Sequence, residues 1–583
     1  MSVQKLITEH LDLWTGATTH AANSRGKNGK VELTGIQKLR ELILELGVHG
    51  KLVEQDPEDT PAPQLLTEIS EHRKELIKRK EIKNSKPLPP VLDNEAPSAL
   101  PDGWAWTRLE TIAEISPRNS AEDTTEASFV PMPLVTTSHR GQHEEEPRTW
   151  VNIKKGYSHF ADGDIGLAKI TPCFENSKAA VFRNLRNGIG AGTTELHVAR
   201  PLSTAIDPYF ILLFLKSPKY LNEGEQVMTG SAGQKRVPKD YFSETPLPLP
   251  PQEEQHRIVQ KVDELMALCD RLEQQTSDQL EAHETLVDTL LNTLTQSENA
   301  TELGDNWVRL AAHFDNLLTT EQSIDKLKQT FLQLAVMGQL VAQHGDDEPA
   351  ETLLSTIDKE RKALHETGKI KKPRSLPSIE EHEKPFRLPK GWAWCRFGNT
   401  GYTRLGKMLD KVKNSGTQKP YLRNTNVQWW HVDLSEIKTL KLETHELDEY
   451  RVCYGDLLIC EGGEPGRCLV WRYENKEMYF QKALHRHRTL GLCSPDYLKI
   501  CLTVDYQNGR LAHFFTGATI KHLPGDNLAK YVCPIPPLSE QYRIVHKVDE
   551  LMALCERLKE HLNQANKTRC QLAETVVEGA LQT

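Results

Sequence analysis

Eleven cysteines are scattered through the 583 residues, and no two form a C-x-x-C pair. That absence excludes a zinc ribbon and a dithiol redox motif, and the odd number fits reduced cytosolic thiols. Long apolar runs are also missing. The longest, YFILLFL at 209–215, is far too short to cross a bilayer. The opening MSVQKLITEHLDLW lacks the positively charged start and apolar core of a secretory signal, so a cytoplasmic protein is expected. Catalytic signatures are present only in fragments. GYTRLGKM at 401–408 has the spacing of a phosphate loop, but Met408 stands where a Ser or Thr hydroxyl must ligate magnesium. DPYF at 207–210 is one proline short of an amino-methyltransferase box, and GIGAG at 188–192 is not G-x-G-x-x-G. There is no G-x-S-x-G elbow, and His485 and His487 have no cysteine or carboxylate at ligand spacing. No catalytic residue and no metal site is expected, and the chain reads as a non-enzyme.

An overall excess of positive charge is lacking too: the formal net charge is −9. The balance is uneven, however. Residues 392–532 carry 20 Lys+Arg against 15 Asp+Glu, a net of +5, and residues 104–246 carry 16 against 17, a net of −1. The acid lies on the remainder, and the basic segment suggests a nucleic-acid partner.

What the chain does have is repetition. KVDELMALC occurs at 261–269 and again at 547–555. Around it, PLPPQEEQHRIVQKVDELMALCDRLEQQ pairs with PIPPLSEQYRIVHKVDELMALCERLKEH. GIQKLRELILELGVHGKLVEQ (35–55) pairs with SIDKLKQTFLQLAVMGQLVAQ (323–343), with apolar residues at the three- and four-residue steps of an amphipathic helix. A second helix follows each, then a Pro-rich linker ending in LPDGWAW or LPKGWAW. The P-x-P-P stops mark domain exits, because proline continues neither a helix nor a ladder. Beyond them Ile258, Val262, Leu265, Cys269 and Leu272, and Ile544, Val548, Leu551, Cys555 and Leu558, step by four and three as in a coiled-coil seam, which favours packing of the two long helices on each other.

Between these matching blocks lie two inserts of barely similar sequence, rich in short β-like runs broken by Gly and Asn. They hold the candidate DNA contacts. YLRNTNVQWWH offers Arg423, Asn424, Asn426 and Gln428, residue types that pair with guanine and adenine in the major groove. HRHR at 485–488, with Arg486 and Arg488, TGATIKH with Lys521, and GSAGQKR with Gln234, Lys235 and Arg236 have the chemistry to grip phosphates. In the first insert Lys169, Glu175 and Asn176 are nominated. Lys169 and Asn176 equally suit a structural turn, and Glu175 suits either a cytosine amino group or a loop cap. The N-terminal stretch NSRGKNGK at 23–30 is basic and reads as a surface loop or as an arm for DNA or a partner.

The duplicated frame, the GWAW motifs and the P-x-P-P exits followed by EEQHRIV and SEQYRIV together resemble the DNA specificity (S) subunit of type I restriction–modification enzymes, over nearly the whole chain. GDIGLAKITPCFEN and GDLLICEGGEPGR, which ends on a further DNA-contact candidate, Arg467, are similar to that family's G-D-[IL] segments, and YLRNTNVQ to a run found early in its recognition domains. The resemblance implies an α/β (α+β) multidomain fold. Two target-recognition domains would be separated by long helices forming an antiparallel coiled coil, with an internal pseudo-twofold repeat. On that plan 1–34 is an N-terminal helix and basic loop, 35–100 a helical region and linker, and 101–250 the first recognition domain. The central helix and hinge follow at 251–322, the repeated helical region at 323–388, the second recognition domain at 389–537 and the last helix at 538–583. The resemblance further implies that each domain reads half of a bipartite, gapped, asymmetric site in double-stranded DNA, with the spacer set by the helical frame. It implies two modification subunits carrying S-adenosylmethionine and two restriction subunits using ATP and Mg2+, with no cofactor on this chain and no membrane. Two other readings remain. One is the recognition subunit of a methylation-only or other phage-defence system; the other is a coiled-coil scaffold with two protein-binding heads.

Overall fold

The computed structural model describes residues 3–20, 31–83, 88–92, 95, 96, 99–231, 233–373, 375–410 and 414–582. The basic stretch at 23–30 lies outside the described residues. The chain forms two compact units, one of Met1–Leu280 with Gln564–Thr583 and the other of Glu281–Asn563. Each long helix therefore contributes to both.

In the first unit, the helix Thr34–Val48 buries Ile36, Leu39, Leu42, Ile43 and Leu46 on one stripe. It runs antiparallel to the start of the central helix, Gln252–Thr295: Arg40 pairs with Asp270 and Glu273 at 2.7 and 2.8 Å, while Gly47 lies beside Ile258 and Val262. The end of the last helix, Leu538–Gln582, adds Ala573, Val576 and Val577 to the same apolar cluster. Its Cys570 lies by Thr18, and Leu581 O accepts from Lys51 Nζ at 2.6 Å, so it runs opposite to the central helix.

The second unit repeats this plan. The helix Glu321–Met337 buries Ile324, Leu327, Phe331 and Leu334. Gln322 meets Glu284 at 3.1 Å and Lys326 meets Asp288 at 2.5 Å, whereas Lys328 pairs with Glu556 and Lys559 with Asp325 at 3.0 Å. The central helix and the last helix are again antiparallel here, and Leu291 and Leu294 share a cluster with Leu551 and Leu562. The expected seam is displaced along the helices. Ile258, Val262, Leu265, Ile544 and Val548 are buried in clusters shared with the heads, Leu272 and Leu551 are half-buried, and Leu558 is 40% exposed.

Each insert enters and leaves its unit through a two-stranded antiparallel ribbon. Ala105–Arg108 pairs with Pro246–Leu249, and Ala393–Arg396 with Val532–Ile535. The Ala-Trp of each GWAW motif thus begins one strand of each ribbon, and the first two residues of P-x-P-P end the other, so Pro248 and Pro534 lie within the ladder that proline was expected to stop. The first head contains a four-stranded sheet in the order Ala113–Ile115, Leu196–Pro201, Ile165–Ala168, Ala179–Val181. The second has Tyr402–Leu405, Leu484–Arg488, Leu457–Cys460, Cys468–Val470 in the matching order. A second sheet in each head contains one parallel pair, Ile189–Gly192 with Glu126–Val130 and Tyr479–Phe480 with Thr417–Leu422. The inserts read as barely alike in sequence, and they share a fold.

The joint below each head is duplicated in its hydrogen bonds. Trp104 Nε1 donates to Glu254 Oε2 and Trp392 Nε1 to Glu540 Oε2, both at 3.0 Å and buried. Gln55 and Gln343 donate to the second oxygen of the same carboxylates. Burial pushes both carboxyls up, and these donors oppose the shift. Gln255 Oε1 accepts from Asp207 N and Gln541 Oε1 from Ser494 N, both at 2.8 Å, fixing the residues that cap the helices Pro208–Lys216 and Pro495–Gln507. Gly50 (φ +67°) and Gly338 (φ +73°) let the indoles approach: a Cβ there would sit 2.8 and 2.9 Å from the Trp104 and Trp392 rings. Trp392→Phe should cost about 1–3 kcal/mol, because it removes a donor from a buried carboxylate. Urea unfolding followed against Trp430→Phe, a change at a ring 47% exposed, measures it. Equal midpoints for the two variants would refute the role of the bond.

Candidate nucleic-acid interface

In each head a glycine–aspartate turn begins a central strand. Gly163 (φ +90°) and Gly455 (φ +85°) precede Asp164 and Asp456, whose carboxylates accept from Ala161 N and Cys453 N, both at 2.7 Å. An arginine from the neighbouring strand forks onto each. Arg200 reaches Asp164 at 2.8–3.2 Å, and Arg488 reaches Asp456 at 2.6 and 2.7 Å. Burial raises the Asp164 carboxyl, and the Arg200 fork opposes it. Three residues before each arginine a histidine points the other way along the same strand pair. His197 Nε2 donates to Val237 O at 3.0 Å and His485 Nε2 to Leu523 O at 2.8 Å. Burial lowers both rings, His197 to about 4, so each is neutral with its proton on Nε2. The shared pattern L-H-x-x-R, at 196–200 and 484–488, was the available sequence signal for the common fold of the heads.

The carbonyls held by those histidines end two hairpins. Thr229 bridges Arg236 in the first, and Ile170, at the end of the G-D strand, bridges Arg236 as well; Thr516 and Gly462 bridge His522 in the same way in the second. Arg236 forks onto Glu195 at 2.9 Å twice, which holds that carboxylate below its usual range, and His522 Nδ1 lies 3.1 Å from Glu461. Beside the first hairpin runs the turn 171–177. Thr171 N donates to Lys235 O, and the buried Lys216, lowered to about 7 by burial, donates to Ser177 O at 2.6 Å. The six first-head candidates therefore come together. Asn176, Gln234 and Lys235 are exposed, and Lys169, Glu175 and Arg236 half-buried, with Lys169 bonded through its backbone to Glu195 and Val237.

The second-head candidates divide. Gln428 is half-buried and Lys521 exposed. Asn424 donates to Gly462 O at 3.1 Å and, through its carbonyl, receives Arg467 Nη2 at 2.9 Å, so these two tie the G-D strand's exit loop to the 424–426 turn. Arg423 is paired with Glu436 at 2.9 Å. Three candidates are engaged within the fold, two of them buried and Arg488 half-buried. Asn426 is 2% exposed and accepts from Arg423 N while donating to Asp433 O and Glu436 O. Arg486 is 3% exposed and donates to Arg451 O and Glu449 O. Arg488 holds Asp456. HRHR is a buried strand rather than a phosphate grip, because both of its faces are covered.

Residues 101–282 and 389–567 match the family model described as the type I restriction modification DNA specificity domain. The chain is 45% identical to the type I restriction enzyme EcoEI specificity subunit of Escherichia coli, over 100% of both sequences. This chain belongs to that family. It is 44% identical to the EcoAI specificity subunit of Escherichia coli, again over 100% of both. Among solved structures, the HsdS subunit from Thermoanaerobacter tengcongensis aligns over 84% of this chain and 99% of its own at 18% identity, with a TM-score of 0.44.

Each matched range spans one head and continues into the long helix below it, so it includes the Trp–Glu joint and the glutamine that caps the head. As a specificity subunit of type I restriction–modification systems, the chain carries the DNA-recognition domains of such a complex. Among the described residues no helix is long and apolar enough to cross a membrane, and no group of three His, Cys, Asp or Glu is placed to hold a metal.

Proposed function

We propose that each head reads one half of a bipartite, gapped, asymmetric DNA site, and that the helical frame holds two methyltransferase subunits and, through them, two restriction subunits. The observation that carries this reading is the contrast between joint and tip. The Trp–Glu–Gln joint recurs bond for bond in both units, whereas the exposed hairpins above it differ in sequence and length. A frame repeated bond for bond gives two equivalent places for two copies of one partner; unlike tips suit two unlike half-sites. The chain itself performs no chemistry in this reading. S-adenosylmethionine belongs on the methyltransferase subunits, and ATP and Mg2+ on the restriction subunits.

Strand-resolved methylation mapping of DNA from cells expressing this chain with its methyltransferase subunit tests the reading. One gapped asymmetric motif, methylated in both halves, is expected, and exchanging residues 104–246 for another such insert should change one half only. A contiguous motif, or a swap that changes both halves, overturns it. If the heads bind protein instead, DNA affinity will lack the steep fall with rising salt that phosphate contacts impose.

A further inference from the structure

The two hairpins hold the same pair of positions out to solvent. In each, the glycine after the bridging threonine takes positive φ, +126° at Gly230 and +93° at Gly517. A Cβ on either glycine would strike the backbone carbonyl oxygen of Gln234 or Ile520. That shared contact places Gln234 and Ile520 at equivalent points of the turn, each followed by a lysine, Lys235 or Lys521, and then by the bridging residue. Gln234, Lys235 and Lys521 are exposed, and Ile520 is 67% exposed. Among the described residues, the Gln234 amide and the two lysine ammoniums have no hydrogen-bond or ion-pair partner. The base of each hairpin is the reverse. Arg236 is forked onto Glu195, His522 rests on Glu461, and the two buried histidines hold the carbonyls beyond. A stem pinned at its base thus presents Gln234, Lys235 and Lys521, whose side chains bond to no other described residue.

We propose that Gln234 and Ile520 are base-reading residues, one for each half-site, and that Lys235 and Lys521 grip the adjacent phosphates. This assignment rests on the two-headed reading above. A hairpin loop closed by one antiparallel bridge has the width of the two-stranded ribbons that enter the major groove, where a glutamine amide matches the donor and acceptor of adenine and a branched apolar chain fits the methyl of thymine. A lysine beside each supplies a mobile point charge that fixes register without reading sequence. The same scaffold position therefore gives a hydrogen-bonding reader in one head and an apolar reader in the other, as an asymmetric site requires.

The test uses the complex of the full chain with its methyltransferase subunits. Gln234→Ala should lower discrimination at one base pair of one half by roughly tenfold, and Ile520→Ala should do so in the other half. Gln234→Glu, which keeps the size and offers only acceptors, should move the preference at that position toward cytosine. Lys235→Ala and Lys521→Ala should leave the motif unchanged, weaken binding to all sequences and each reduce the slope of log affinity against log salt by about 1. Unchanged discrimination in the Gln234 and Ile520 variants overturns the base-reading assignment, and unchanged slopes overturn the phosphate contacts. The unmutated complex separates the two levels. If it methylates no gapped motif, the two-headed reading fails; if it does and the variants match it, only the hairpin assignment fails.

Discussion

Replacing Asp456 with alanine should cost the second head about 3–5 kcal/mol, the loss typical of removing one partner from a buried ion pair. Asp456 is 1% exposed, and its carboxylate receives the Arg488 fork at 2.6 and 2.7 Å as well as the Cys453 backbone N–H. Arg486 lies 4.0 Å away, itself 3% exposed and hydrogen-bonded only to carbonyls. Without the carboxylate, one buried and one half-buried guanidinium remain with no negative charge between them. A domain is held by about 5–15 kcal/mol, so this change removes a large share. Urea unfolding followed through the buried Trp471 measures the loss in that head. Arg488→Met in the same chain should restore part of it, because the stranded charge goes too. A single-variant loss below about 1 kcal/mol would show that the pair does not hold the turn. Asp164→Ala should repeat the effect in the first head, through Arg200.

The frame was legible because its repeated letters are repeated contacts. GWAW and E-Q recur since an indole N–H, a carboxylate and a glutamine amide each have a fixed partner in both units. The helical stripe from Ile36 to Leu46 was equally plain from its spacing. The seam was misplaced because heptad spacing shows that a face is apolar without saying what covers it. Ile544 and Val548 are covered by their own head's layer, and Leu558 is left 40% exposed. The heads hid their kinship for a related reason. Little beyond Gly-Asp, L-H-x-x-R and the Thr-Gly of the hairpins persists, since these residues make the aspartate–arginine fork, the histidine bond and the tight turn, while the strands around them need only apolar or β-branched chains. HRHR misled because a run of basic letters looks like a solvated patch. A guanidinium that pairs with an aspartate 32 residues away cannot be told from a free one by spacing. Asn426 misled likewise: the amide that suits adenine also suits two backbone carbonyls.

Acid should weaken the second head before the rest of its chemistry titrates. His487 is 0% exposed, between Thr400 Oγ1 at 3.1 Å from Nε2 and Thr403 Oγ1 at 2.9 Å from Nδ1, with the Phe397 ring centroid 4.3 Å away. Burial lowers its pKa to about 3 from an ordinary 6.5, and the positive charge of Arg361 pushes in the same direction. Between those two pH values the unfolded chain binds a proton that the folded chain refuses. Stability is therefore full above pH 6.5 and falls with falling pH by about 1.4 kcal/mol per unit, until the folded ring titrates. Going from pH 7.5 to pH 5 should cost about 2 kcal/mol from this ring alone. His485, lowered by burial in the same strand, adds to the slope, and His197 gives the first head a similar slope down to about pH 4. His487→Gln retains one donor and one acceptor for the two threonines and carries no titrating proton. Urea midpoints of the two chains measured at pH 7.5, 6.5, 5.5 and 5 should therefore converge as the pH falls, with the variant's profile the flatter. Parallel profiles would mean that the ring reaches a proton acceptor when charged, and the reading of His487 as a ring that folds only when neutral would have to be abandoned.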